Sequence, residues 1–193
     1  LPTFFHNQDW VTERDAWLAA GLGQDLLAAE AQLLTGVLDD VFGLELLQLG
    51  GWGASRALLQ ASRTRRQTIV AESAGCGAVD LLGRLAQLPV QSGSVDCVLL
   101  PHTLEFESDP QAVVREVDRV LTGEGQLIIL GFRPVSLWGL RGAASRSGFP
   151  PGLIQMLPES RVKDWLALLG YEVVLSRHYL YSRPWARGTA PNK

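Results

Sequence analysis

From Val95 to Leu100 the chain reads VDCVLL. Past Asp96 at its start, this run lacks the polar–apolar alternation of a strand with one wet face. A strand of this kind needs cover on both sides, as in a parallel sheet with helices packed on both faces. The surroundings agree. Apolar segments that read as strands (Leu44 to Leu49, Thr68 to Glu72, Ala78 to Leu82, Val95 to Leu100, Gln126 to Leu130 and Tyr171 to His178) alternate with helical stretches. The helices are expected over Ala54 to Thr64, from Asp109 as cap and Pro110 as first residue to Gly123, and from Glu159 to Leu169, closed by Gly170. Alternating strands and helices predict an α/β fold.

Ahead of this region, residues 1–12 show no period. A helix is expected after Thr12, and a stronger one from Gln24 to Phe42, where Leu26, Leu27, Leu33, Leu34, Val37, Leu38 and Val41 recur at helical spacing before Gly43. The expected organisation is a helical segment, 1–43, packed on an α/β region, 44–193, within a single domain.

Composition narrows the function classes. With 193 residues, 47% hydrophobic and 19% charged, the chain can bury a core without disulfides, and its apolar runs are too short to span a bilayer. No signal-peptide pattern opens it, and Leu1 implies a longer chain or a removed residue; a cytoplasmic location is the expectation. A net charge of −3 gives no general attraction to nucleic acid. Arg63, Arg65 and Arg66 read as a solvated helix end. Cys76 and Cys97 are expected as free thiols, and no Cys/His spacing suggests a metal site.

Ligands of such sheets bind beyond the C-terminal strand ends, near the point where strand order reverses. Three features fall there: the loop Gly50-Gly51-Trp52-Gly53, His102 after the fourth strand, and Phe132-Arg133-Pro134 after the fifth. Only 73–77 separate the second and third strands, too few for the usual helical crossover.

Residues 88–132 carry Leu88-Pro89-Val90, Val95-Asp96, His102-Thr103-Leu104-Glu105, Asp109-Pro110, Glu116, Arg119-Val120-Leu121 and Gly125 in order. This series resembles the class I S-adenosylmethionine-dependent methyltransferases, type 11 group. The flanking segments DDVFGLELLQLG and GFRPVSLWGLR resemble its YafS-like bacterial branch. The resemblance covers roughly residues 37–180. It implies a Rossmann-like class I methyltransferase fold and S-adenosylmethionine as cofactor; such folds usually end in two antiparallel strands, but Tyr179 to Lys193 has no second apolar run, so the C-terminal strand pair is expected to be incomplete.

The resemblance also assigns positions. Gln48 stands where the family has an acid for the methionine end of the cofactor. Gly50, Gly51, Trp52 and Gly53 form the loop. Glu72 holds the ribose hydroxyls, or simply ends a strand. Leu85 offers its backbone N–H to the adenine, beside Arg84 in place of an aspartate, and Pro101 flanks the site. His102 is either the general base or a loop-forming residue. Phe132, Trp138 and Arg141 lie on the acceptor side, with core packing the competing role for Trp138. Asp96 and Glu116 are expected to be structural, Glu116 with an arginine partner. Trp52 cannot share the volume of a methionine tail. It is expected to swing away, packing over the N-terminal helices or closing the loop as a lid; an indole filling the pocket is the alternative. The implied function is methyl transfer to a small molecule, without nucleic acid or membrane. The competing reading is a non-catalytic methyltransferase-like binding module. A nucleotide-dependent oxidoreductase fits less well, because Ser55 stands where its motif needs glycine.

Overall fold

The computed structural model describes residues 8–53, 55–75, 77–133 and 150–179. The apolar run forms β4 (Val95–Pro101), paired on one side with β1 (Glu45–Leu49) and on the other with β5 (Leu121–Leu130). β2 (Arg66–Ala71) and β3 (Leu81–Leu82) extend the sheet in the order β3-β2-β1-β4-β5, and every pairing is parallel. α1 (Gln8–Leu18) and α2 (Gly21–Leu38) precede the sheet, α3 (Pro110–Val120) joins β4 to β5, and α4 (Glu159–Leu168) follows.

Side chains alternate along each strand, so one strand feeds two cores. Leu46, Ile69, Cys97 and Leu99 meet Leu26, Leu34 and Leu38 of α2 on one face. Leu47, Leu49, Val70, Val98 and Leu100 meet Val113, Val114 and Val117 of α3 on the other. Each fully buried side chain of this kind contributes about 1.5–3 kcal/mol relative to its exposed form. Burial, with the Asp96 carboxylate nearby, pushes the free Cys97 thiol up to about 12, which leaves it unreactive. Cys76 lies outside the described residues.

Several local expectations need correction. α1 begins before Thr12, and α2 runs from Gly21 to Leu38 rather than from Gln24 to Phe42, whose ring is left exposed. The helix expected over Ala54 to Thr64 shrinks to one 3-10 turn, Ala57–Leu59. Only adjacent Leu58 and Leu59 supply buried anchors, and Ser62 Oγ accepts from Thr64 N–H at 3.3 Å, ending the turn. Arg63 and Arg66 therefore cap no helix; they pair with Asp39 at 2.6 Å and Glu45 at 3.2 Å. α3 stops at Val120, ahead of Gly123, because buried Leu121 already pairs with Val95 at the sheet edge.

The expected strand from Tyr171 to His178 does not form. β5 has no second neighbour among the described residues, and the segment instead bonds α4: Ser176 Oγ donates to Glu159 Oε1 at 2.8 Å. β-branched composition makes a strand only where a ladder receives it, and here Val174 is left exposed. Residues 184–193, where a seventh strand would fall, lie outside the described residues. The β2–β3 crossover carries no helix among its described residues. The Asp80 carboxylate ties it back by accepting from Ile69 N–H at 2.7 Å and by pairing with Arg56.

Asp96 and Glu116 both serve the framework. Asp96 Oδ2 accepts from Leu44 N–H at 2.7 Å and Glu45 N–H at 3.0 Å, fixing the entry of β1. A Cβ on Gly43 would collide with that carboxylate, which is why glycine stands there. Glu116 accepts from Leu88 N–H and from Arg119, both at 2.6 Å, and Arg119 donates on to Leu88 O and Val90 O.

Candidate functional site

Strand order reverses between β1 and β4, and a cavity of about 350 Å³ opens at that point. Gly50, Gly51 and Trp52 after β1, Ala71 at the end of β2 and Glu72 after it, Pro101 at the end of β4 and Thr103 beyond it, and Leu85 line it. α1 adds Trp10, Val11 and Arg14, and Phe106 and Glu107 close the rim. Six of the eight cofactor positions expected from the sequence are thus brought together, and Gln48 and Gly53 are not on the wall.

The loop is made by backbone geometry. Gly50 takes φ +91, and a Cβ there would press Thr103 Oγ1 at 3.0 Å. Thr103 in turn donates to Leu49 O, closing the loop onto the β4 exit. Gln48 is buried on the α2 face, where its Nε2 donates to Gly50 O at 3.0 Å. Its amide shapes the loop from beneath. Leu85 N–H donates to Glu72 Oε1 at 3.3 Å, so this N–H orients the carboxylate.

Trp52 is 1% exposed and packs inward. Its Nε1–H donates to Glu30 Oε2 of α2 at 2.7 Å, and its ring lies 4.5 Å from that of His102. The indole packs against the N-terminal helices and is not a solvent-facing lid. It borders the cavity and leaves it open.

His102 is fully buried in an αL conformation, φ 56, and does not line the cavity. Its Nε2–H donates to Glu30 Oε1 at 2.7 Å, Glu105 Oε1 stands 3.9 Å from Nδ1, and Phe132 stacks on the ring at 4.0 Å. Burial opposes the imidazolium, but the Glu30 and Glu105 carboxylates outweigh it and lift the His102 pKa to about 9. Tyr179 O–H also donates to Glu30 Oε1, at 3.1 Å. Phe132 is likewise buried and off the wall, and Trp138 and Arg141 lie outside the described residues.

Glu107 was not anticipated from the sequence. Burial, then repulsion from Glu72, raises its pKa to about 7. Nor was Arg14, which is 7% exposed, shows the cavity a guanidinium and has a buried Nε without a hydrogen-bond partner. A helical signal for it existed: Val11, Arg14, Asp15 and Leu18 share one buried stripe of α1. Glu30 likewise interrupts the stripe Leu26, Leu34, Leu38 of α2. Glu107 left no such trace. Among the described residues no group of His, Cys, Asp and Glu could hold a metal ion, and no helix is long and apolar enough to cross a membrane.

A parallel sheet in this order, with a glycine loop at the reversal point and a carboxylate after the second strand, defines a Rossmann-like fold, the architecture of the class I methyltransferases. Residues 51–129 match the family described as "Methyltransferase domain". The chain is 30% identical to the uncharacterized protein YafS of Escherichia coli over 91% of its own length and 72% of that protein. The methyltransferase partner of the Haloferax volcanii Trm112 activator superposes with a TM-score of 0.61 at 18% identity, covering 82% of this chain and 74% of the other. A SAM-dependent methyltransferase of Thermotoga maritima gives 0.60 at 18%, covering 86% and 80%. This chain belongs to the S-adenosylmethionine-dependent methyltransferases of the type 11 group, in the branch that contains YafS.

Proposed function

We propose that the chain transfers a methyl group from S-adenosylmethionine to a small-molecule acceptor, using the cavity between the ends of β1, β2 and β4. The observation that carries this reading is the open glycine edge facing a carboxylate. A Cβ on Gly51 would meet nothing nearer than Arg14 Nη2 at 3.8 Å, so backbone and ligand can approach there. Glu72, oriented by Leu85 N–H, offers acceptor lone pairs suited to two ribose hydroxyls. These residues fit the cofactor.

When bound, the cofactor supplies an electrophilic methyl group on a sulfonium centre. The chain supplies orientation and exclusion of water. Trp10 and Phe106, stacked at 5.7 Å, give the rim an apolar surface for a flat acceptor. Glu107 is the wall group able to take a proton near neutral pH, whereas His102 is spent on Glu30.

Calorimetric titration with S-adenosylhomocysteine, on the parent chain and on Trp52→Gly, tests this. Binding to the parent, unchanged or weaker in the variant, is expected. Binding only to the variant would make Trp52 an occluding side chain and the parent a non-catalytic relative. Binding to neither would favour an interaction module.

A further inference from the structure

We propose that Arg14 binds the carboxylate of the cofactor's methionine end, and that this site recognises that end by its carboxylate rather than by its ammonium group. The inference rests on the cofactor reading above.

Among the described residues Arg14 is the one cation on the cavity wall. It stands at the glycine loop, its Nη2 3.8 Å from where a Gly51 Cβ would lie. Nη2 also donates to Asp15 Oδ1 at 3.3 Å, but Nε is buried and has no partner. A buried unpaired donor costs free energy until something accepts from it. The guanidinium carbon lies over the Trp10, Phe106 and Trp52 rings, 5.2, 5.5 and 6.0 Å from their centres. The planar fork of N–H donors on a guanidinium is the geometry that suits a carboxylate.

The glycine loop itself brings no carboxylate to the cavity wall. Gln48 holds the strand-end position where the resemblance places an acid, and its amide is turned to Gly50 O, away from the cavity. The wall carboxylates Glu72 and Glu107 follow β2 and β4, and Glu72 is held by Leu85 N–H. An ammonium group therefore finds no carboxylate at the glycine loop comparable to the guanidinium awaiting its neighbour.

Calorimetry on the full chain with three ligands tests this: S-adenosylhomocysteine, its decarboxylated analogue (which keeps the amine) and its deaminated analogue (which keeps the carboxylate). The deaminated analogue should bind within about threefold of S-adenosylhomocysteine, and the decarboxylated one about ten- to a hundredfold more weakly. Arg14→Gln should abolish that gap, with Arg14→Lys restoring part of it. Equal binding of S-adenosylhomocysteine and the decarboxylated analogue by the parent overturns the assignment, as does an Arg14→Gln protein that keeps the full gap. If the parent binds none of the three, the cofactor reading itself falls and this assignment with it. The parent comparison stands even where a variant fails to fold.

Discussion

The Trp52 indole N–H donates to the Glu30 carboxylate at 2.7 Å, across 22 residues of sequence and inside a buried cluster with His102. The bond joins the glycine loop to the second N-terminal helix, so loop shape and helix docking depend on each other. Removing one side is expected to be costly. Glu30→Ala leaves a buried imidazolium without its partner and should lose about 3–5 kcal/mol in urea denaturation. Trp52→Phe keeps the ring and loses the donor, for about 1.5–3 kcal/mol. A Glu30→Ala protein as stable as the parent would show that the cluster is not held by charge.

The same cluster predicts alkaline sensitivity. The folded-state pKa of His102, about 9, lies above its unfolded value of about 6.5. The stabilisation is complete below pH 6.5 and is lost as pH rises through 9. Melting temperature should therefore fall between pH 6.5 and 9 more steeply than in His102→Asn. An imidazole NMR titration with its midpoint near 6.5 would contradict this.

Glu107 shows the same direction with pH from a different cause, burial beside Glu72. Its pKa, raised to about 7, favours the neutral acid in the folded chain, so stability falls as pH climbs from about 4.5 to 7. Glu107→Gln should be more stable than the parent at pH 8, by about 1–2 kcal/mol after allowing for partial exposure, and equal to it at pH 4. Thermal scans at the two pH values check this; a variant less stable at pH 8 would mean that the ionised carboxylate has a partner.

Asp96 separates framework from site. Asp96→Asn weakens an acceptor of two backbone N–H groups at the start of β1, and should cost about 1–3 kcal/mol. Affinity for S-adenosylhomocysteine should not change, because Asp96 lies at the strand end away from the cavity. A loss of affinity at unchanged melting temperature would reverse that assignment.

What the sequence determined by itself was periodic or local. The unbroken apolar run at β4 demanded cover on both faces, and the sheet supplies it. Asp109-Pro110 marked the start of α3, where the Asp109 carboxylate accepts from Ala112 N–H at 3.0 Å. The meeting of Gly50, Gly51, Glu72, Leu85 and Pro101 on one cavity wall could be expected because each follows a strand, and strand ends can be counted. Tertiary structure decided whatever depended on a distant partner. Tyr171 to His178 has strand composition but finds no ladder. Leu58 and Leu59 promise a helix but anchor one turn. Glu30 and Arg14 show in the sequence only as charges on apolar stripes; whether such a charge meets solvent, His102 or a ligand depends on elements far away in the chain. Burial turns on the whole packing, and the energy of a buried charge turns on its partners, so the surroundings of these two side chains were decided only when the helices closed over the strand ends.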